Sequence, residues 1–316
     1  MPTVVVAHDL PIAGAIRGRR DKLSVTGLTE LEDTVSALRD AEMLICNPVR
    51  WDDRLLEALE PGDWVQVTSA GYDAYPVDAF RDRGIKFSNA AGIHDSVVAE
   101  HAFALALSFT RNIPEFSQRR YERTWGPRSE LSLELGDWKN KTLTVYGVGN
   151  IGESIARRGL AFEMDVYGIK RNPDDYDGCL PDGHVLPADD LRSVLPKTDL
   201  LAVIVPLTAE TRGSIDAAAF EALPDSAVLV NVARGPVVDQ DALVDALRDD
   251  SIAGAGLDVF ETEPLPEESP LWGREDVLIT PHVGGRSDTF PDRFGDLFLE
   301  NYDRLRADEP LVNQVV

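Results

Sequence analysis

The segment Gly147-Val148-Gly149-Asn150-Ile151-Gly152 limits what this chain can fold into more than any other. It follows an apolar run, Thr142–Tyr146, and opens a stretch with helical spacing, Ile151–Phe162. A strand, a tight glycine turn and a helix in that order are the start of a βαβ unit in a doubly wound parallel sheet. Gly147 permits the tight turn, Gly149 lets a pyrophosphate approach the backbone, and Gly152 lets the helix pack close to the strand. The free amides of Asn150, Ile151 and Gly152 at the helix start then face the phosphates. A strand–helix turn without ligand is the alternative. With strand and helix both in place, the reading is a dinucleotide site.

The end of the next strand, about twenty residues on, separates the two nicotinamide dinucleotides. NAD is usually held there by Asp or Glu on the ribose hydroxyls, whereas a 2′-phosphate needs positive charge. The strand Val166–Ile169 runs into Lys170-Arg171-Asn172, with no carboxylate at the expected position. The chain has only six lysines, so a Lys–Arg pair here favours NADP(H), with NAD(H) possible. An ordinary solvated loop pair remains the alternative, because Asp174 and Asp175 lie nearby.

The 316 residues suffice for two domains. Val4–Ala7, Leu44–Cys46 and Val65–Thr68 are short apolar runs, with helical spacing at Trp51–Leu59 between the last two, and Lys86–Ser88 is a further strand after the helical Val77–Arg83. A second series has strands at Val166–Ile169, Leu200–Val205, Ala227–Val232, Ala253–Leu257 and Val277–Thr280. Helical stretches Leu191–Leu195, Ala217–Leu223 and Asp241–Arg248 lie among them, and Phe290–Leu305 is a final helix. The tail Leu311–Val316 could return to pair with the first sheet. The helix Val97–Phe109, rich in Ala and Leu, is expected to pack against a twin in a symmetric homodimer, or else to be internal.

Fifty-five Asp and Glu against 31 Lys and Arg give a net charge of −24. Such a surface repels phosphate backbones and anionic lipid, so neither nucleic acid nor membrane is an expected partner. The carboxylates are spread along the chain, as at Asp52–Asp53, Asp189–Asp190 and Asp249–Asp250, rather than gathered in one tail. That pattern favours an acid-rich, halophilic surface over an acidic face for a basic partner. The start, Met-Pro-Thr-Val-Val-Val, has no basic segment or cleavage site, and the longest apolar stretch contains Glu100 and His101. Cys46 and Cys179 form no paired motif. A cytoplasmic protein without disulfide or structural zinc is expected.

Alcohol–carbonyl interconversion needs a group that takes or gives a proton near neutral pH, which histidine does. Of His8, His94, His101, His184 and His282, none pairs at metal-ligand spacing, so no metal site is expected. His282, in Thr280-Pro281-His282-Val283-Gly284-Gly285, lies just after a strand, where ligands bind in such sheets. It is the candidate acid–base group.

Its surroundings carry a resemblance. Asn231-Val232-Ala233-Arg234-Gly235, Gly256-Leu257-Asp258-Val259-Phe260-Glu261-Thr262-Glu263-Pro264-Leu265 and Thr280-Pro281-His282 resemble the signatures of D-isomer-specific 2-hydroxyacid dehydrogenases. Val205–Thr211 and Thr68–Asp73 do so too, and the likeness covers essentially the whole chain in the family's order. The short Glu263-to-His282 interval and the lack of an extra regulatory domain look most like the glyoxylate/hydroxypyruvate and 2-ketoacid reductase branches. The resemblance implies two doubly wound α/β domains flanking a cleft. A Rossmann dinucleotide-binding domain, 96–287, is inserted into a smaller substrate domain, 1–95 plus 288–316.

The resemblance makes Arg234, Glu263 and His282 the catalytic set. His282 donates to the carbonyl oxygen of a small 2-keto acid, Glu263 accepts from its other ring nitrogen, and Arg234 forks onto the substrate carboxylate and carbonyl. Backbone amides around Ala70 and Gly71 take the other carboxylate oxygen. Asp258 contacts the nicotinamide amide, while Val205, Pro206, Thr211, Val232, Ala233 and Gly284, with His282, line the cofactor. Singly, Arg234 could be a helix-start ion pair, Glu263 a loop carboxylate and Asp258 a strand-end cap. The family's usual acidic residue after the second strand is missing, which is read as cofactor choice. The pocket aromatics Trp51 and Tyr72 could equally be core. A dinucleotide-regulated, corepressor-like binding protein and a 3-phosphoglycerate dehydrogenase are the alternatives. A formate enzyme is expected to carry Gln where Glu263 stands.

Overall fold

The apolar runs become parallel strands, because a strand covered by helices on both faces reads as a continuous hydrophobic run. The computed structural model describes residues 2–8, 11–125 and 135–316. The chain divides into two units, Met1–His94 with Arg286–Val316, and Asp95–Gly285.

In the first unit, β1 (Thr3–Ala7), β2 (Ser24–Leu28), β3 (Met43–Cys46), β4 (Trp64–Val67) and β5 (Lys86–Ser88) form a parallel sheet in the order β2-β1-β3-β4-β5. Helices α1 (Ile12–Ile16), α2 (Leu31–Leu38), α3 (Asp53–Ala58) and α4 (Val77–Arg83) intervene, and the C-terminal helix, Phe290–Arg306, closes the unit. Its Phe298 stacks on Trp64 of β4 at 5.0 Å, and both are fully buried. The tail does return: Val315 N–H donates to Phe87 O at 2.8 Å and Phe87 N–H to Val316 O at 3.1 Å, next to an antiparallel bridge at Ser88 and Gln314. The edge strand β2 has no apolar run to announce it, since its residues are half-exposed or exposed.

The second unit carries seven parallel strands: β6 (Thr142–Tyr146), β7 (Asp165–Lys170), β8 (Val185–Pro187), β9 (Leu200–Val203), β10 (Val228–Asn231), β11 (Gly254–Leu257) and β12 (Val277–Ile279). Their order is β12-β11-β10-β9-β6-β7-β8, so the direction of winding reverses between β6 and β9. Helices α5 (Asp95–Thr110), α6 (Ile113–Glu122), α7 (Asn150–Ala161), α8 (Leu191–Val194), α9 (Ala217–Ala222) and α10 (Gln240–Arg248) complete it. One core layer joins α5 and α7 to the sheet through Phe103, Leu105, Ala106, Ile155, Leu143 and Val166. The opposite layer joins α9 and α10 through Phe220, Leu243, Leu247, Leu201 and Leu229.

Val98, Ala99, Ala102, Phe103, Leu105 and Ala106 of α5 are buried inside its own unit, against α7 and the sheet. Part of the acidity is also structural. Asp52, Asp216 and Asp239 accept first-turn amides of α3, α9 and α10, which satisfies donors that a helix start leaves open.

Candidate active site

In a parallel sheet all strands end on one edge, and ligands bind outside that carboxyl edge where the winding reverses. Read along the edge from β12, the second unit presents His282 after β12, Asp258 and Glu263 after β11, Arg234 after β10 and Val205–Thr211 after β9. The glycine turn follows β6, at the reversal, and Lys170 ends β7. The predicted catalytic and cofactor residues of this unit therefore share one edge, in a linear order that suits an extended dinucleotide.

At the reversal, Gly147 has φ +109°, and a Cβ there would lie 2.7 Å from Ile204 O. Only glycine lets the turn sit against the backbone leading to Val205. A Cβ on Gly152 would run into the carbonyl of Gly147. Gly149 is different, because a Cβ there would meet nothing within 4 Å. Gly149 offers no side-chain cap to α7, so the first-turn amides of Asn150, Ile151 and Gly152 border open space. That cradle fits a pyrophosphate. Lys170 Nζ lies 3.3 Å from Val148 O, which places its charge beside the turn. Arg171 is exposed, and its charge helps hold Glu210 below the usual carboxylate range, after the hydrogen bond from Thr208. Thr211 closes the neighbouring loop by donating to Pro206 O at 2.6 Å and accepting from Thr208 N–H at 2.8 Å.

Past β10 the chain is fixed by Asn231, which is fully buried. Its Oδ1 accepts from Ala233 N–H at 3.0 Å and its Nδ2 donates to Arg234 O at 3.2 Å. Val232 and Ala233 are buried, and the half-buried Arg234 donates from Nη1 to Ala233 O at 2.8 Å. Gly235 follows, packed so closely on the Phe260–Glu261 backbone that a Cβ would overlap it.

Glu263 and His282 meet: His282 Nδ1 is 2.7 Å from Glu263 Oε2, while Glu263 Oε1 accepts from Phe260 N–H at 3.1 Å. An ionised carboxylate only accepts, so Nδ1 carries the hydrogen and Nε2 is left for a substrate. The hydrogen bond to Glu263 raises the His282 pKa above its ordinary value. Burial and the Arg234 charge oppose it, and the charges of Glu263 and Asp258 add to it. For Glu263, burial pushes upward, but the His282 hydrogen bond, the Phe260 amide and Arg234 together hold it below the usual range. The pair thus favours carboxylate and imidazolium near neutrality. Asp258 is buried, and its oxygens accept from the amides of Val283 at 2.9 Å and Gly284 at 2.8 Å.

In the first unit, the loop after β4 has its carbonyls tied down. Ala90 N–H donates to Ser69 O, Asn89 Nδ2 to Ala70 O at 2.8 Å and Ser69 Oγ to Gly71 O at 2.6 Å. Trp51 is half-buried, edge-on to Tyr75 and Phe80, whereas Tyr72 is exposed.

Residues 103–284 match the family described as D-isomer specific 2-hydroxyacid dehydrogenase, NAD binding domain. The chain belongs to that family. This D-2-hydroxyacid dehydrogenase is an NAD(P)-dependent enzyme, and it is 32% identical over 295 residues to the glyoxylate reductase of Thermofilum pendens. The match covers 90% of the dehydrogenase and 85% of that relative. Among solved structures, the D-isomer specific 2-hydroxyacid dehydrogenase family protein of Aeromonas salmonicida aligns with a TM-score of 0.87 at 30% identity, covering 100% of the dehydrogenase and 99% of that chain. The NADPH-dependent glyoxylate/hydroxypyruvate reductase of Sinorhizobium meliloti, in complex with NADP and malonate, aligns with a TM-score of 0.82 at 28% identity, covering 100% and 97%.

Sequence reasoning assigned no role to Asn231, Gly235 and Thr280 of the dehydrogenase, although all three lie inside the motifs it singled out. Gly235 and Thr280 act through contacts with Phe260–Glu261 and with Asp258 and His101, which residue spacing does not carry, whereas Asn231 bonds to the backbone two and three residues on. Among the described residues no helix is long and apolar enough to cross a membrane, and no His, Cys, Asp and Glu cluster of three could hold a metal ion.

Proposed function

We propose that the enzyme uses NADPH to reduce a small 2-keto acid of the glyoxylate or hydroxypyruvate class to the D-2-hydroxy acid, with His282 as general acid. The observation that carries this reading is the 2.7 Å Glu263–His282 pair beside Arg234 on the carboxyl edge of the sheet. Bound along that edge, the reduced nicotinamide supplies the hydride that adds to the carbonyl carbon. His282 gives its Nε2 proton to the carbonyl oxygen, and in the reverse oxidation neutral Nε2 takes it back. Glu263 keeps the ring in the Nδ1–H state and stabilises the imidazolium. Arg234 forks onto the substrate carboxylate and carbonyl oxygen, which orients the one and polarises the other. The amides of Ala70 and Gly71 serve the second carboxylate oxygen. Val205, Pro206, Thr211, Val232, Ala233, Asp258 and Gly284 line the cofactor.

The test is a panel of glyoxylate, hydroxypyruvate, pyruvate and longer 2-keto acids, run with both cofactors across a salt series. NADPH oxidation with the shortest acids is expected; no turnover with any acid, cofactor or salt would overturn the reading. His282 must be protonated for reduction and neutral for oxidation. The reduction rate therefore falls, and the oxidation rate rises, as pH climbs through the raised His282 pKa. The dispersed −24 charge supports best activity at molar salt, where the Debye length is about 3 Å. Activity best in dilute buffer would remove the halophilic reading. Exposed Ile113, Tyr121 and Trp125 support a second copy of the chain as partner, checked by elution at twice the monomer mass.

The cofactor preference rests on Lys170 and Arg171. The double variant Lys170→Ser, Arg171→Ser is expected to lose about tenfold to a hundredfold in kcat/KM with NADPH, the equivalent of one charge-assisted hydrogen bond to phosphate at about 1.5–3 kcal/mol. Efficiency with NADH should stay within about twofold. Equal losses with both cofactors would show that the pair does not read the 2′-phosphate.

A further inference from the structure

Behind the His282 loop runs a chain of hydrogen bonds that starts on α5. The Thr280 hydroxyl lies 2.6 Å from Asp258 Oδ1 and 2.9 Å from His101 Nε2. A carboxylate only accepts, so the one hydroxyl hydrogen of Thr280 goes to Asp258 and its oxygen accepts from His101. His101 therefore carries hydrogen on Nε2. From the other side Asp258 receives the amides of Val283 and Gly284 on its carboxylate, and its own carbonyl receives His282 N–H at 2.9 Å. The backbone on both sides of His282 thus hangs on Asp258.

The support has a purpose visible in the backbone. His282 has φ +52°, a left-handed conformation that a non-glycine residue keeps only when its surroundings hold it. Packing behind the loop is tight as well: a Cβ on Gly284 would lie 2.8 Å from Asp258 Oδ2 and 3.2 Å from His101 Cδ2. Burial would raise the Asp258 pKa. The hydrogen bonds from His101, Thr280 and the two amides outweigh it and keep the group below the usual carboxylate range. The charged groups that act on His282 are Glu263, Arg234 and Asp258, and Asp258 is the charge next to His101.

We propose that His101 is a positioning residue for the reaction, fixing through Thr280 and Asp258 the strained backbone that aims His282 at Glu263 and at the substrate. The inference rests on the reading of His282 as general acid. A loose His282 loop weakens the Glu263–His282 hydrogen bond, and with it the largest contribution to the raised histidine pKa. The consequence is therefore both a slower proton transfer and a shifted pH profile.

The experiment compares His101→Leu, His101→Gln, Thr280→Val and the Leu/Val double variant in the full-length enzyme. His101→Leu is expected to lower kcat for keto-acid reduction about tenfold, with KM for the cofactor within about twofold. The alkaline limb of its rate profile should move to lower pH. Gln, which can still donate to Thr280, should restore both. Thr280→Val keeps the shape and removes the link, so it should reproduce the Leu phenotype, and the double variant should be no worse than either single one. If His101→Leu fails to fold, Thr280→Val carries the same readout. A kcat and pH profile unchanged in Thr280→Val, or in a folded His101→Leu of lowered Tm, would overturn the proposal and leave His101 a packing residue. A His282→Ala control separates the two levels, since near-native turnover there removes the general-acid reading itself.

Discussion

His282→Ala is expected to lower turnover by about three orders of magnitude while the cofactor still binds with nearly native affinity, because a positioned general acid contributes about 10²–10⁴-fold. The ring Nε2 is the group left for the carbonyl oxygen once Nδ1 is bonded to Glu263. Alanine removes it without touching Gly147–Gly152 or Lys170, on the other side of β9 along the sheet edge. Quenching of nicotinamide fluorescence measures the binding, and single-turnover rates measure the chemistry. Glu263→Gln is the companion variant. It can keep a hydrogen bond to Nδ1 but loses the charge, so the His282 pKa should fall and the alkaline limb of the reduction profile should move to lower pH. Near-native turnover in His282→Ala would remove the histidine from the mechanism and leave the pair a structural contact.

What the residues revealed in advance follows how local each cause is. Buried parallel strands such as Met43–Cys46 and Val228–Asn231 are continuous apolar runs, and the glycine turn after Thr142–Tyr146 is a contiguous signal. Edge strands lack that signal: Ser24–Leu28 breaks its apolar residues Val25 and Leu28 with Thr26 and Gly27 and is half-exposed, and Val185–Pro187 ends in a proline that an inner strand does not tolerate. The apolar helix Asp95–Thr110 is legible as a helix, but periodicity does not say which of its faces meets its own sheet, where Val98, Ala102, Phe103 and Ala106 are buried. The same limit applies at the site. Arg234, Glu263 and His282 stand in recognisable motifs, and Asn231 and the Phe260 amide bond to residues three positions on, whereas Thr280 reaches Asp258, 22 residues away, through three-dimensional adjacency. His101 and Thr280 are 179 residues apart in the chain, and no spacing rule could have joined them.

The other large effect is expected at Gly235, the residue after Arg234. A Cβ there would fall well inside van der Waals distance of the carbonyl of Phe260 and the nitrogen of Glu261. These are backbone atoms, so no rotamer change relieves the clash, and one of the two loops must move. Moving the Phe260 segment disturbs the amide that seats Glu263, and moving the other displaces Arg234. Gly235→Ala should therefore lose about a hundredfold in kcat/KM, the consequence of misplacing reacting groups by about 1 Å, and about 1–3 kcal/mol of stability from overpacking. Gly149→Ala supplies the contrast. Its Cβ meets nothing within 4 Å, so Tm should hold while cofactor affinity falls, because the added methyl occupies the space offered to the pyrophosphate. Gly235→Ala with native kcat/KM and native Tm would mean that the two loops slide apart freely. In that case the close approach of Arg234 to the Glu263–His282 pair would not be what the glycine is there to secure.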